Sequence, residues 1–291
     1  MFFLCCTQLR PILSLFWAKV ALLYLFLHLI KKILLPTSTF NSEFSSFITT
    51  VGPPQGVSKI DLSLLLNLKP RTSSIYFLPK IHKPDNRDRP IVASFSSSTK
   101  YVSAYIDAHL QPIVKSLPSY IKDTNHFLKI ILSLPMSLPP NTIMATVDVT
   151  SLYTNIPHPH GLSSLEHFLN KRPPHFLPST QFLIQVTQFI LTHKYFSCDS
   201  RHYLQVKGTI MGTRMAPSYC NLFMGFIEQD FLDFIVEKPS LWLHLMDDIF
   251  LLWPQGPNSL TQFLECLNSR YPVQFTWHTF SSMDAVSCSK S

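Results

Sequence analysis

The sequence predicts an α+β domain, and three observations carry that prediction. From about residue 59 onward, short apolar strands alternate with amphipathic helices in a mixed order. The composition, 46% hydrophobic and 14% charged, excludes wholesale disorder, and 291 residues suffice to bury a substantial core. Internal repeats are absent, and the 23 prolines punctuate loops and form no proline-rich tract.

Taken in chain order, residues 1–35 form a hydrophobic leader. Its apolar run over 11–30 is nearly long enough to cross a bilayer but is interrupted by Lys19 and His28. No small-residue cleavage site follows, so the readings are a membrane signal anchor or a leader foreign to the domain behind it. Residues 36–58, rich in Ser, Thr, Pro and Gly, read as a linker. The segments 75–78 and 90–93 flank a charged turn and predict a hairpin. Apolar spacing predicts helices over 101–116 and 124–134. The β-branched run 143–149 predicts a strand carrying Asp148 near its end. Helices are expected over 180–193 and 217–237, the second with Pro217 in its first turn. Trp242 to Trp253 reads as strand–turn–strand around Asp247 and Asp248, and 258–268 as a helix with Asn258 at its N-cap. The Phe-rich helices read as core.

Charge and cysteine usage narrow the function. The net charge is +7, and residues 59–100 hold eight Lys/Arg against three Asp, a local basic excess that suits a polyanion. The six cysteines lack the spacing of a zinc ribbon or a disulfide scaffold, so Cys198, Cys220 and Cys266 read as small core residues in a reducing compartment. His158, His160, His167 and His175 raise a metal hypothesis. Prolines 157, 159, 173 and 174 hold much of their segment in loop, and no Cys or acid completes a ligand set, so they read as surface histidines.

Two adjacent carboxylates inside an apolar run demand a reason, because a buried carboxylate is costly unless paired or bound to a metal. If the strand of Asp148 neighbours the hairpin of Asp247 and Asp248, three carboxylates meet in a small volume. Such hard oxygen ligands suit Mg²⁺, which completes its shell with water and substrate phosphate. Two such ions can hold the attacking and leaving oxygens of a phosphoryl transfer. Tyr153, five residues after Asp148, is placed to lie beneath a nucleotide sugar and exclude a 2′-hydroxyl; as an ordinary packed Tyr it would need a hydroxyl partner. The glycines of Gly208-Thr-Ile-Met-Gly-Thr-Arg-Met-Ala-Pro217 let backbone approach a base pair or phosphate before a helix.

Together these pieces resemble the reverse transcriptase of Penelope-like retroelements. The matching stretches are Tyr76-Phe-Leu-Pro-Lys-Ile-His-Lys-Pro84, Arg89-Pro-Ile-Val-Ala-Ser94, Ser119-Tyr-Ile-Lys-Asp-Thr124 and Thr146-Val-Asp-Val-Thr-Ser-Leu-Tyr-Thr-Asn-Ile-Pro157. Lys207 to Met224 and Met246-Asp-Asp-Ile-Phe250 follow in order, so the resemblance spans about residues 60–280. It implies a right-hand polymerase: fingers and an antiparallel palm sheet over 59–280, with 281–291 an unrelated tail. Asp148 and Asp247 would be the main ligands of two Mg²⁺ ions, which Mn²⁺ could replace, with Asp248 beside them and Val149 lending a backbone carbonyl. Lys80, Lys83 and Arg89 would contact the triphosphate or the template backbone. Tyr153 would be the sugar gate. Met211, Gly212 and Pro217 would support the template base and incoming nucleotide, with Asn221 on the following helix. The implied partners are an RNA template, a DNA primer and deoxynucleoside triphosphates, in the nucleus or cytoplasm.

The sequence departs from the pattern at four places. His244 and Leu245 stand where the family has Arg-Tyr before X-Asp-Asp. The primer-grip segment and thumb do not follow Phe280. Most of the fingers extension is missing before residue 60, and the hydrophobic leader is foreign to the family. The expectation is a truncated RNA-directed DNA polymerase domain of retroelement origin. A non-catalytic nucleic-acid-binding remnant and a product anchored in a membrane through residues 11–30 are the alternatives.

Overall fold

Strand alternation organises the half of the molecule that carries the aspartates. In a computed structural model, which describes residues 30–33, 37–78, 89–135, 138–139 and 141–280, Ile143–Val149 forms strand β4. Its Ala145, Val147 and Val149 are buried, while Met144, Thr146 and Asp148 take the opposite face. β4 is flanked antiparallel by β8 (Asp248–Trp253) and β9 (Phe275–Phe280), and β7 (Leu241–Leu245) closes the sheet in the order β7-β8-β4-β9. This is the antiparallel palm sheet that the sequence predicted.

A second sheet has the order β1-β6-β5-β2-β3, built from Ile30–Ile33, Arg201–Gln205, Tyr195–Cys198, Ser73–Leu78 and Arg89–Ala93 respectively. The predicted hairpin is the antiparallel β2–β3 pair, while β2 and β5 run parallel. β5 and β6 carry no strong alternation and were not expected.

Helices cover the core. They are α1 (Thr37–Val51), α2 (Lys59–Leu65), α3 (Lys100–Ser116), α4 (Thr124–Leu132), α5 (Leu152–Asn155), α6 (His158–Leu169), α7 (Thr180–Thr192), α8 (Ala216–Phe234) and α9 (Pro257–Arg270). Side-chain oxygens cap three of them: Ser58 accepts from Asp61 N, Asp123 from His126 N and Ser179 from Phe182 N. Phe182, Phe189, Phe223 and Phe231 are buried in one core with Ile106, Leu165 and Trp253, whereas Phe234 at the end of α8 is exposed. Cys220 is buried, and the free thiols Cys198 and Cys266 are half-buried against apolar clusters.

Four expectations need correction. The linker expected over 36–58 is, from Thr37, mostly helix: Phe40, Phe44 and Ile48 enter the main core, with Phe47 and Val51 packed beside them. Their spacing is helical, but abundant Ser and Thr concealed it. Ile30–Ile33, assigned to the leader, pairs with β6. His158–Leu169 is helix, since Pro159 sits in the first turn, where its missing N–H costs nothing. Helix α9 starts at Pro257 with Gly256 as its N-cap, so Asn258 lies within the first turn. The leader before Ile30 and the tail after Phe280 lie outside the described residues. Among those described, no helix is long and apolar enough to cross a membrane.

Candidate active site

The β7–β8 hairpin delivers two of the aspartates to the third. Leu245 pairs with Asp248, so the loop between them is only Met246–Asp247, and Met246 adopts a left-handed backbone (φ 58°). That conformation is unfavourable for a residue with a Cβ, and such strain gathers where a turn must aim functional groups. In the same register Asp148 stands directly opposite Asp248. Cross-strand partners share a face, so these two carboxylates leave the sheet on one side. The Val149 amide donates to the Asp247 carbonyl at 3.0 Å, fixing the turn against the end of β4.

The convergence is tighter for two acids than for three. Among the described residues no group of three or more His, Cys, Asp or Glu closes on one point. Asp148 and Asp248 obey the alternation of the sheet, while Asp247 sits in the turn outside it. Asp247 instead lies within electrostatic reach of Tyr153 and Cys220. The donor set nevertheless fits a hard divalent cation, because it offers carboxylate oxygen, and Mg²⁺ needs only one or two protein carboxylates.

Tyr153, on α5, points its hydroxyl at this hairpin, donating to Met246 Sδ at 3.3 Å. Burial drives its pKa far above the usual phenol range; Cys220 and Asp247 add to the rise and the Arg89 guanidinium opposes it. Tyr153 is therefore a neutral phenol with Asp247 and Arg89 both near. Arg89 opens β3, so one fingers cation faces the palm; Lys80 and Lys83 lie outside the described residues.

The glycine-bearing loop connects the two sheets. The Thr209 amide donates to the Tyr153 carbonyl at 2.6 Å, and the Val92 amide of β3 donates to the Met211 carbonyl at 2.9 Å. Ser94 Oγ donates to the Gly212 carbonyl. Gly212 has φ 117°, and a Cβ there would run into the Val92 carbonyl oxygen, so only glycine fits. Pro217 is exposed in the first turn of α8. Asn221, one turn on, donates to the Pro217 carbonyl at 2.9 Å, while its buried Oδ1 has no hydrogen-bond partner.

The residue in place of the expected Arg before the aspartates is polar and buried. His244 is 1% exposed; its Nδ1 lies 3.0 Å from Ser119 Oγ and 3.3 Å from Glu228 Oε2, and Ser119 Oγ also donates to Glu228. The backbone of 119–121 runs along β7, with the His244 amide donating to Ser119 O and the Ile121 amide to His244 O. Sequence reading missed this network because its members lie 109 and 16 residues apart in the chain. It also missed His158, which is half-buried against the Gly208 carbonyl at 2.9 Å instead of surface-exposed like His160, His167 and His175.

Residues 81–272, more than half of the chain, match the family described as reverse transcriptase (RNA-dependent DNA polymerase). The chain belongs to the reverse transcriptase family. The α+β fold and the reverse transcriptase family expected from the sequence hold, while the match is to the family as a whole and does not reach the Penelope-like type. No curated protein matches it. Among solved structures, apo telomerase from Candida tropicalis superposes with a TM-score of 0.59 at 14% identity, covering 88% of this chain and 52% of that one. Telomerase from Candida albicans in complex with a TWJ fragment of telomeric RNA gives 0.57 at 10% identity, covering 87% and 50%. The RNA-dependent RNA polymerase of BmCPV at its elongation state gives 0.53 at 10%, covering 72% and 20%. At these identities the likeness concerns the fold. The reverse transcriptase domain spans about half the length of the telomerase structures it matches.

Proposed function

We propose that this domain catalyses RNA-templated DNA synthesis, adding deoxynucleotides to a primer 3′-hydroxyl, and that it descends from a Penelope-like retroelement. The observation that supports it best is the hairpin register, which sets Asp148 opposite Asp248 and holds the Asp247 turn against Val149 and Tyr153.

Asp148 and Asp247, with Asp248 beside them and the Val149 carbonyl, would hold two Mg²⁺ ions, or Mn²⁺ in their place. Bound there, the ions would lower the pKa of the primer hydroxyl and neutralise the triphosphate. The hydroxyl oxygen attacks the α-phosphorus, the bond to the bridging oxygen breaks, and pyrophosphate leaves. Arg89, together with Lys80 and Lys83, binds triphosphate or template backbone; the Arg fork accepts two phosphate oxygens at once. The uncharged Tyr153 ring presents an apolar floor to the sugar and excludes a 2′-hydroxyl. The Met211–Gly212 backbone, with Pro217 and Asn221 behind it, supports the nascent base pair. Backbone and shape contacts of this kind position a duplex without reading its sequence. The compartment consistent with this reading is the nucleus or the cytoplasm.

Primer extension on an RNA template with Mg²⁺ tests the reading in the full chain. Template-directed extension that Asp247→Ala abolishes is the expected result. Salt-sensitive nucleic-acid binding with no extension would overturn catalysis in favour of a binding remnant.

A further inference from the structure

Between α7 and β5 the chain buries a lysine. Lys194 is 4% exposed, and its Nζ donates to the Gly208 carbonyl. His158 Nε2, on α6, lies 2.9 Å from that same oxygen and 3.4 Å from Nζ. Among the described residues, none of the ion pairs involves Lys194. A buried amine without a carboxylate is costly, and an apolar side chain of similar length would fill the space more cheaply. Folding alone does not account for it.

What Lys194 grips is informative. The Gln205 amide donates to the Lys194 carbonyl at 3.0 Å, and the buried Gln205 Nε2 donates to Lys207 O at 2.8 Å and Thr209 O at 3.2 Å. Three consecutive carbonyls, 207 to 209, are thus held by buried side chains on one side. On the other side the loop is pressed onto Tyr153: Thr209 N–H donates to its carbonyl, and Gly208 (φ 67°) packs so closely that a Cβ would strike Tyr153 O and the Thr154 backbone. Tyr153 in turn touches Met246 in the aspartate hairpin.

We propose that Lys194, with His158 and Gln205, is a positioning residue for Tyr153: it clamps the 207–209 loop onto the Tyr153 backbone and so sets how strictly the site rejects ribonucleoside triphosphates. The proposal rests on Tyr153 acting as the sugar gate. The clamp is also proton-sensitive. Burial lowers Lys194 to about 7 and His158 below the usual imidazole range, the charge of Lys194 adding to the second shift. Among the described residues, Cys220 is the group whose charge would act on Lys194, and burial pushes its thiol up so that it stays uncharged. Acidification therefore brings two cations together beneath the loop.

Amide hydrogen exchange on the full chain tests the clamp without requiring activity. Lys194→Met should speed exchange in peptides covering 207–212 by about tenfold, the loss of one hydrogen bond, and leave 241–253 unchanged. Wild-type protection of the loop, corrected for intrinsic rates, should fall as pH drops from about 10 toward 7 and then level off, because over that window only the opened loop holds Lys194 protonated, and Lys194→Met should lack that slope. Gln205→Leu, which removes the other grips, should loosen the same peptides. Unchanged loop exchange in both variants overturns the clamp outright. In primer extension, Lys194→Met should lower dNTP-over-rNTP selectivity about tenfold for the same reason, with Lys194→Arg restoring part of it. A loosened loop with unchanged selectivity overturns the gating role. A loosened loop in a chain that extends no primer overturns both gating and the polymerase reading, while the clamp stands.

Discussion

The two sheets of the domain differ in what holds them. The palm sheet rests on the main core, where Ala145, Val147, Ile249, Leu251, Trp253 and Phe275 pack with residues from α1, α3, α6, α7 and α8. Among the described residues, the fingers sheet has a small cluster of Val92, Phe196, Tyr203 and Ile210, with Ile30, Ile75 and Cys198 beside it, and reaches the main core through Tyr195. It is tied to the palm through the 207–212 loop. The palm is thus the rigid platform that holds charge in place, and the fingers are the part that can open locally at lower cost. In the proposed reaction, that division would fix the carboxylates while admitting a new nucleotide at each step.

The contrast breaks most visibly in activity. Asp247→Ala should cut primer extension by ~10³-fold or more while leaving the thermal midpoint nearly unchanged, because the turn is held by backbone hydrogen bonds. Next come the two cores. Phe231→Ala should destabilise the whole domain by about 3–5 kcal/mol in denaturant unfolding. Phe196→Ala should instead raise hydrogen exchange over 73–93 and 195–205 while the palm strands stay protected; uniform loss of protection would erase the distinction between the sheets. Gly212→Ala, forced against the Val92 carbonyl in a left-handed backbone, should cost about 1–3 kcal/mol and loosen the β2–β3 hairpin first.

A pH series sharpens the link between the sheets. Lys194 titrates near 7 when folded and at 10.5 in its ordinary state, so between these values the unfolded chain binds more protons. Stability should therefore rise from pH 7 toward 10, with a slope of up to about 1.4 kcal/mol per unit, and Lys194→Met should remove that slope. The smallest effect belongs to the surface knot between α8 and α9. Asp230 has its pKa lowered, first by the Tyr271 hydroxyl and also by Arg270, against an opposing effect of burial. Its contribution is present above the usual carboxylate range and lost as pH falls below it. Asp230→Asn should cost under ~1 kcal/mol, since the pair is solvent-screened and salt should weaken it further.

Much of the palm was legible because its signals are local. Alternation in 143–149 gives the strand and its buried face, and Leu245-Met-Asp-Asp-Ile249 gives the hairpin that carries two acids. The fingers hairpin 75–93 was legible for the same reason. Helix α1 was not, because Ser and Thr between Phe40, Phe44, Phe47 and Ile48 look like a linker until those aromatics find Phe189 and the other core residues. The strands β5 and β6 owe their existence to neighbours, β2 on one side and Ile30–Ile33 on the other.

From the order of residues alone came the α+β class, the reverse transcriptase family, and the three acids proposed as metal ligands, since each rests on spacing within short segments. Register and burial came only with the tertiary structure. It opposes Asp148 to Asp248, leaves Asp247 in the turn toward Tyr153, buries His244 on Glu228, and sets Lys194 beneath the loop. The reason is physical: a carboxylate, an imidazole or an amine takes its charge and its role from neighbours in space, and those neighbours lie 14 residues or more away in the chain.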